Sequence, residues 1–290
     1  MKKLCVRVSN QVSNDESLRN SSNLKELSRF IKHLQQNRKL LVVLIKNDFK
    51  KQYLGSYLGL AWAYIQPLIF MLVIWTVFEL GFRTGPTATG VPFFLWLLAG
   101  MVPWFFFSDA IRTGTDAVTS NAFLVKKMAF RVSILPLVNI GSSFLIHLGL
   151  MLFLIVALLL HGFWPTLYWL QLPFYMALTI LFAMGLSWLT SAIRVFVKDV
   201  GSVVAVLLQM GFWLTPIFWS PELVPQKYHY LIKLNPAYYI VDGYRSSLIN
   251  QVWFWEKPIW SLYYLAITGF MLILGALVFK RLRPHFGDVL

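Results

Sequence analysis

The sequence has few charged residues, a single cysteine and no nucleotide-binding loop of the common type. Only 13% of its 290 residues are charged, against about 25% in an ordinary soluble domain. The lone Cys5 excludes an intramolecular disulfide. None of the 17 glycines is followed by lysine, so the phosphate-binding pattern G-x-x-x-x-G-K-[ST] is absent. We therefore expect no ATP to bind this chain in that way.

The acidic and histidine residues also lack the spacing that metal-dependent chemistry needs. No D-x-D or D-D-x-x-D pair is present to hold a magnesium diphosphate, which argues against a glycosyl or prenyl transferase. The five histidines are scattered, without H-E-x-x-H or a similar ligand spacing. His147 lies within an apolar run, where an ionisable residue is a functional candidate, but we favour a neutral, hydrogen-bonded packing role. The sequence predicts no catalytic residue, no metal site and no cofactor in this chain.

Long uncharged runs are the main feature of the sequence. Hydrophobic residues make up 58% of the chain, and a helix needs about 20 apolar residues to cross a bilayer. Residues 132–193 contain no charged side chain, which leaves room for two spans with a turn at 161–168. The predicted spans are 57–78, 91–108, two within 132–193, 200–220 and 258–279. We therefore expect an all-α integral membrane protein with six transmembrane helices.

The distribution of basic residues predicts how these helices are oriented. Of the 26 Lys and Arg residues, 21 lie in the segments 1–56, 112–131, 194–199 and 280–290. Cytoplasmic loops are enriched in Lys and Arg, so both termini are expected in the cytoplasm. The net charge of +14 is explained by this topology, and secondarily by attraction to anionic lipids, rather than by binding to nucleic acid.

The N-terminal part divides into two segments before the six-span domain of residues 53–290. Residues 1–25 are rich in Asn and Ser and are predicted to be a disordered tail. We expect no cleavable signal, because the first 30 residues lack an apolar core. Residues 26–52 combine an apolar stripe with many Lys and Arg, which is typical of an amphipathic helix in the inner headgroup layer. A soluble helix packed on another domain is the alternative.

Two charge pairs lie at the ends of predicted spans. Glu79 and Arg83 are spaced i,i+4, and Asp109 and Arg112 are spaced i,i+3. Both spacings place the two side chains on neighbouring positions of a helix surface. We interpret them as interfacial ion pairs that end a span.

An aromatic stripe runs along the first span. At 100° per residue, five side chains fall within about 40° of one another: Tyr53, Tyr57, Tyr64, Met71 and Trp75. Aromatic faces can stack on sugar rings, and their polar tips form hydrogen bonds. Because Tyr64 lies well inside the span, the stripe favours a lined path over an interfacial belt. Packing against a neighbouring helix is the alternative.

The loop between the second and third spans contains a candidate docking helix. In RTGTDAVTSNAFLVKKMAFRVSILP, Ser120 or Asn121 can cap a short helix that begins near Ala122. That helix would present apolar and basic side chains together: Phe123, Leu124, Lys126, Lys127 and Met128. A small apolar surface beside basic groups suits a partner's groove. A solvated loop is the alternative.

The stretch NPAYYIVDGYRSSLIN, residues 235–250, is too polar to cross a bilayer easily. Asn235 suits an N-cap, and Pro236 suits the first helical turn. Residues 222–234 and 236–250 are predicted as two helices too short to span. Asp242 and Arg245, spaced i,i+3, can pair with each other and ease a shallow position in lipid. We expect a re-entrant helical pair in the outer leaflet rather than a pair lying on the surface.

Three motifs give the chain a resemblance to a known family. NDFKKQYLGSYLGLAWAYIQPLIF, FWLTPIFWSP and LNPAYYIVDGYR resemble, in order, segments of type-2 ABC exporter membrane subunits, the polysaccharide export permeases. The likeness covers about residues 30–285. It implies a homodimer held by two copies of a separate ATPase, which binds ATP and magnesium. It also implies export of a polysaccharide on a polyprenyl diphosphate, such as O-antigen, capsule or teichoic acid, across the bacterial inner membrane.

The resemblance also assigns roles to residues. Lys46, Lys50 and Lys51 are expected to attract the carrier diphosphate, since the arginine that many members carry around Gln52 and Leu54 is absent. The docking helix is expected to contact the ATPase. The expected polymer path consists of Tyr53, Tyr57, Tyr64, Trp75, Trp213, Phe218 and Trp219. The expected exit gate consists of Tyr238, Tyr239, Asp242, Tyr244 and Arg245, near Trp219.

Two other functions remain open at this point. One is an integral-membrane transferase that acts on lipid-linked sugar, which the missing carboxylate pairs disfavour. The other is an exporter of the same fold that carries a lipid or a drug, which the aromatic content disfavours. The sequence does not identify the polymer or its length.

Overall fold

The computed structural model describes residues 38–53, 57–82, 90–127 and 132–290, and the regular elements in these ranges are all helices. Two compact units are distinguished, Met1–Asn47 and Asp48–Leu290. The helices are α1 Arg38–Tyr53, α2 Trp62–Thr76, α3 Phe93–Asp116, α4 Ala122–Lys127, α5 Leu135–Leu160, α6 Leu172–Arg194, α7 Val200–Leu214, α8 His229–Leu234, α9 Pro236–Arg245, α10 Pro258–Leu282 and α11 Phe286–Val289.

Five helical stretches in the described residues are long and apolar enough to cross a membrane. They are Gly59–Gly81, Phe93–Asp116, Val132–Leu160, Leu167–Arg194 and Pro258–Val289. They coincide with the first, second, third, fourth and sixth predicted spans. The turn predicted between the third and fourth spans is confirmed, because α5 ends at Leu160 and the next helical turn begins at Leu167.

The fifth predicted span differs from the expectation. Its helix α7 has 15 residues, which correspond to about 22 Å at 1.5 Å per residue, and the chain leaves the helix at Thr215. Pro216 explains the end, since a proline disfavours the helical conformation of the residue before it. Thr215 is accordingly extended, with ψ 134°. The predicted single helix over 200–220 is therefore a short helix followed by an irregular segment.

Helix α3 lies at the centre of the second unit. It packs against α2, α5, α6, α7 and α9. Many of its side chains are fully buried, among them Leu95, Leu97, Leu98, Met101 and Ile111. A helix that is apolar on all sides is one surrounded by other helices. Because α9 is among its neighbours, the polar stretch that begins at Asn235 is built onto the same core as the long helices.

Helices α6 and α10 cross at two glycines. A Cβ atom added to Gly275 would collide with the backbone of Gly185. Small residues let helix backbones approach closely in a membrane, where dispersion contacts replace the hydrophobic driving force. This crossing holds α10 against the rest of the unit and so positions the first turn of α10 beside α9.

Two short helices were predicted between α7 and α10, over 222–234 and 236–250, and the structure contains only the second as predicted. Residues 236–250 form one helical stretch, α9 followed by a π-helical turn over Ser246–Asn250, which confirms that part. The single helix predicted over 222–234 is wrong. That segment forms two 3-10 turns, Pro221–Leu223 and Gln226–Tyr228, before the six-residue α8. Pro225 has an extended ψ of 138° and no N–H, so a continuous helix cannot form there.

Several predictions fall outside the described residues. These are the tail at 1–25, the part of the amphipathic helix before Arg38, and the Glu79–Arg83 pair, since Arg83 is not described. Met128 and the side chains of Tyr53 and Lys127 are not described either.

Candidate functional site

The second and third family-like motifs meet in space through side-chain hydrogen bonds. Asn235 accepts a hydrogen bond from the backbone N–H of Ala237 at 3.0 Å, which confirms the predicted N-cap of α9. The amide nitrogen of Asn235 also donates to the hydroxyl of Thr215 at 2.8 Å. One side chain therefore starts α9 and ties it to the point where α7 ends.

Arg245 makes a second and stronger connection between these motifs. Its side chain donates to the backbone carbonyl of Pro216 at 2.6 Å, of Ile217 at 2.5 Å and of Trp96 at 3.3 Å. The guanidinium carbon also lies 3.4 Å from the centre of the Trp96 ring, in the geometry of a cation–π contact. Arg245 is only 5% exposed. We call Arg245, Trp96, Gly100 and the carbonyl groups of Pro216 and Ile217 the Arg245 cluster.

The cluster provides the donors that the irregular segment lacks. Residues 216 and 217 lie beyond the end of α7, so no helical ladder serves their carbonyls, and a buried carbonyl without a donor is costly. Gly100 on α3 makes room, because an added Cβ would collide with the guanidinium and lie 3.2 Å from the carbonyl oxygen of Ile217. The guanidinium of an arginine keeps its proton in proteins, so the side chain is a cation at neutral pH.

The expected pairing of Asp242 with Arg245 is wrong. Asp242 forms an ion pair with Lys257 at the start of α10, with a distance of 2.7 Å, while Arg245 is directed at α3 and the irregular segment. The physical reason is the different length of the two side chains. Three carbonyls and an aromatic ring solvate the long guanidinium inside the unit, whereas the short carboxylate meets the nearest ammonium group at the edge.

The gate tyrosines differ in their environment. The hydroxyl of Tyr239 donates to Ser261 at 2.8 Å, and its ring stacks on Tyr264 at 4.7 Å. The buried Tyr244 hydroxyl lies 2.9 Å from Nε2 of His147. Tyr238 is half-buried. The structure thus places two of the three tyrosines in contacts within the unit and leaves Tyr238 partly accessible, and the gate itself stays a prediction.

His147 has the surroundings of a packing residue. It is buried, and its ring stacks on Phe106 with a centroid distance of 4.8 Å. Together with the hydrogen bond to Tyr244, this connects α5 to both α3 and α9. The contacts agree with the neutral, hydrogen-bonded role inferred from the sequence.

The described part of the aromatic stripe faces two directions. Tyr57 is fully exposed, whereas Met71 is buried. The Tyr64 ring lies against Gly149 of α5, and Trp75 makes an edge contact with Phe94 of α3 at 5.7 Å. From Tyr64 onward the stripe therefore makes contacts with neighbouring helices, and the polymer path expected along it stays a prediction.

The aromatic residues at the end of α7 form a connected group. Trp213 is exposed and contacts the ring of the buried Phe218 at 5.0 Å. The indole N–H of Trp219 donates to the carbonyl of Trp213 at 3.1 Å. Phe218 also contacts Phe78, at the end of the first span, at 5.2 Å. The structure brings these path residues together beside the Arg245 cluster.

The candidate docking residues lie on α4 and the candidate carrier-binding residues on α1. Helix α4 begins at Ala122 as predicted; Phe123 is 65% exposed, Lys126 is exposed and Leu124 is half-buried. Lys46, Lys50 and Lys51 on α1 are exposed as well. The structure therefore leaves the charged groups of these residues at the surface, where a partner or an anion can reach them.

Polar contacts connect α5 to Asp48 of α1 and to α3. The carboxylate of Asp48 accepts a hydrogen bond from Ser142 at 2.7 Å. The predicted pair of Asp109 with Arg112 is confirmed at 3.0 Å, and Asp109 also accepts from Ser143 at 2.6 Å. Two adjacent serines of α5 therefore serve two different helices.

The sequence did not single out Trp96, Gly100, Lys257 or Ser261, although each supports the site. A glycine inside an apolar span is a usable signal, because it marks a close approach. The others carry no local signal, since their role depends on residues that are distant in the chain.

Comparison with known proteins places the chain among membrane transport subunits. Residues 39–249 match the model of the family described as ABC-2 type transporter. The chain is 30% identical over 254 residues to the O-antigen export system permease protein RfbA of Klebsiella pneumoniae, with 87% of this chain and 95% of that protein covered. It is 27% identical to the protein of the same name from Myxococcus xanthus, covering 90% and 98%. It is also 21% identical to the polysialic acid transport protein KpsM of Escherichia coli, covering 71% and 80%.

Proposed function

The chain belongs to the ABC-2 type transporter family, and from this premise we propose that it is the membrane permease of an ATP-driven polysaccharide exporter. The observation that carries the proposal is the similarity to O-antigen export permeases over 87% and 90% of this chain and nearly the whole of those proteins. The polymer is a polyprenyl-diphosphate-linked polysaccharide, most simply an O-antigen, moved across the inner membrane of a bacterium.

The proposed topology has six crossings and both termini in the cytoplasm. Five crossings are the long apolar helices, and the sixth is α7 extended by the irregular segment after Leu214. The excess of Lys and Arg in the inward segments supports this orientation. In it, α8 and α9 lie on the outer side as a re-entrant pair. Non-helical backbone at membrane depth is tolerated where it is buried in protein, and Arg245 supplies the required donors.

A separate ATPase drives the proposed transport. Two permease copies form a homodimer and bind two ATPase subunits, which hold ATP and magnesium. Helix α4 offers each ATPase the exposed Phe123 together with the exposed Lys126; Leu124, Lys127 and Met128 complete the proposed contact. An aromatic side chain flanked by cations suits an apolar groove with an acidic rim.

The carrier diphosphate is proposed to meet the exposed lysines of α1 before the polymer enters. Lys46, Lys50 and Lys51 are three cations within a short helix. Each juxtamembrane basic group contributes about 1 kcal/mol towards an anionic surface. A diphosphate with two or more negative charges is a suitable ligand for such a group.

The polymer path is proposed to begin at Tyr57 and to leave near Trp213, Trp219 and Tyr238. These side chains are exposed or half-buried. Cysteine placed at Tyr57 should react with a water-soluble thiol reagent in the assembled dimer. Cysteine placed at Tyr64, which packs on Gly149, should react far more slowly. Equal labelling of the two positions would contradict this path.

The function is tested by deleting the gene in its native bacterium. The proposed exporter predicts that surface polysaccharide disappears while lipid-linked polymer accumulates inside the cell, and that the intact gene restores export. A transferase acting on lipid-linked sugar would instead leave the intermediate absent or shortened. An exporter of a lipid or drug would leave the surface polysaccharide unchanged. Either of these outcomes contradicts the proposal.

A further inference from the structure

A cavity of about 330 Å³ lies between α8, α9 and the start of α10. It is lined by Lys233, Tyr238, Tyr239, Asp242, Glu256, Lys257, Pro258, Ile259, Trp260 and Tyr263. Its volume is at the lower end of the roughly 300–1,000 Å³ typical of small-molecule sites. In the proposed topology it opens on the outer side, next to the predicted exit.

Two aromatic rings of α10 form a fixed wall of this cavity. Trp260 and Tyr263 contact each other edge to face at 6.3 Å. The hydroxyl of Tyr263 donates to the carbonyl of Leu234 at 2.8 Å, and the ammonium group of Lys233 lies 5.3 Å from the centre of the Trp260 ring. These contacts hold both rings in place before any ligand arrives, which lowers the entropy that binding would cost.

The charged groups of the cavity are balanced in number and held in position. Asp242 is paired with Lys257, which also donates to the hydroxyl of Ser246 at 3.3 Å. Glu256 accepts the backbone N–H of Trp253 at 3.0 Å. The lining therefore carries two carboxylates and two ammonium groups with a formal sum of zero, so the site favours a neutral ligand. Burial, together with the charge of Asp242, raises the pKa of Tyr238 above its usual range, so that phenol is a neutral hydroxyl.

We propose that this cavity binds one or two sugar rings of a neutral saccharide, with a ring face stacked on Trp260. Sugar hydroxyls would donate to Asp242 or Glu256 and accept from Lys233. Aromatic faces pack against the C–H face of a pyranose, and carboxylates and ammonium groups match its alternating hydroxyls. The inference rests on the proposed function, and it gives that exporter a weak outer subsite that holds the polymer as it emerges.

The test measures sugar binding by the full-length permease in lipid nanodiscs. Saturation-transfer NMR is recorded with maltose, lactose and N,N′-diacetylchitobiose as neutral probes and with glucuronic acid as the acidic probe. We expect saturable binding of at least one neutral probe with a Kd of roughly 1–10 mM, and at least tenfold weaker binding by Trp260→Ala. A tenfold loss is what about 1.4 kcal/mol of stacking would produce.

Trp164→Ala is the matched control, because Trp164 is 72% exposed on the turn between α5 and α6, away from the cavity lining. It should bind the probes as the unaltered protein does. The inference is overturned if no neutral probe binds saturably, if Trp260→Ala binds as well as Trp164→Ala, or if glucuronic acid binds more tightly than the neutral probes. The gene-deletion experiment does not depend on these results. If the protein exports polysaccharide but binds no sugar in this assay, the proposed subsite is wrong and the proposed function stands.

Discussion

Replacing Arg245 by methionine is expected to destabilise the permease, because the substitution keeps an apolar stem of similar length and removes only the guanidinium. Three carbonyls lose their charged donor: those of Trp96, Pro216 and Ile217. The stack on Trp96 is lost as well. The hydrogen bond from Asn235 to Thr215 would still connect α9 to the end of α7.

The magnitude follows from the two carbonyls with the shortest bonds. A buried acceptor left without a donor costs about 1–3 kcal/mol, so Pro216 and Ile217 together account for about 2–6 kcal/mol. The cation–π contact adds about 1 kcal/mol. Removing a buried charge recovers part of its desolvation cost, which opposes these losses. We expect a net loss of about 2–5 kcal/mol in the free energy of unfolding.

The assay compares apparent unfolding midpoints of the purified proteins in nanodiscs at one scan rate, followed by tryptophan fluorescence. At about 2–4 °C per kcal/mol for a chain of this size class, Arg245→Met should lower the midpoint by at least ~4 °C. The midpoint of Arg245→Lys should lie between those of Arg245→Met and the unaltered protein, because an ammonium group keeps the charge but cannot bridge two carbonyls and stack on a ring at once.

Arg112→Met provides the control, since it makes the same chemical change at a surface ion pair whose arginine side chain is 65% exposed. Such pairs contribute about 0–1 kcal/mol, so its midpoint should stay close to that of the unaltered protein. If Arg245→Met unfolds at the same temperature as Arg112→Met, the Arg245 cluster does not hold the irregular segment, and the reasoning fails.

Three further outcomes are expected. Phe123→Asp should abolish transport-coupled ATP turnover while the permease stays in the membrane, because a charge in an apolar groove costs several kcal/mol; normal co-purification and export would contradict the docking role of α4. Reversing Lys50 and Lys51 to Glu should weaken export far more than membrane insertion, measured by protease accessibility of the termini, whereas misoriented protein would indicate a purely topological role. Gly275→Leu should lower the unfolding midpoint more than Gly287→Leu, since a Cβ at Gly275 meets the backbone of Gly185 and one at Gly287 meets nothing within 4 Å; equal midpoints would show that the crossing of α6 and α10 tolerates side chains.

Local chemistry explains which parts of the fold were predictable. Uncharged runs located the five long helices because the cost of burying charge in lipid acts on each segment separately. The Asn235 cap and the start of α9 at Pro236 were likewise readable, since a cap depends on residues two or three positions apart. The end of α7 at Thr215 is also a local effect, because Pro216 disfavours the helical conformation of the residue before it, so the helix predicted to residue 220 stops early.

Long-range partners explain what could not be predicted. The i,i+3 spacing of Asp242 and Arg245 suggested a pair, yet Lys257 is 15 positions beyond Asp242 and pairs with it at 2.7 Å. Arg245 instead reaches Trp96, 149 positions away in the chain. The stripe from Tyr64 to Trp75 carries no local signal for its neighbours, and only the structure shows that Tyr64 lies against Gly149 and Trp75 against Phe94.

The sequence by itself determined that this protein is helical and membrane-embedded, which segments are apolar, and to which family the motifs are similar; the orientation that its basic residues indicate stays a prediction. These properties depend on composition and on spacings within one helix. Only the tertiary structure decided that α7 stops short, that Arg245 supports the segment beyond it, and that a sugar-sized cavity forms beside Trp260. The physical reason is that hydrogen bonds, ion pairs and cavities depend on which helices become neighbours, and that choice is made by packing around α3 rather than by any single stretch of the chain.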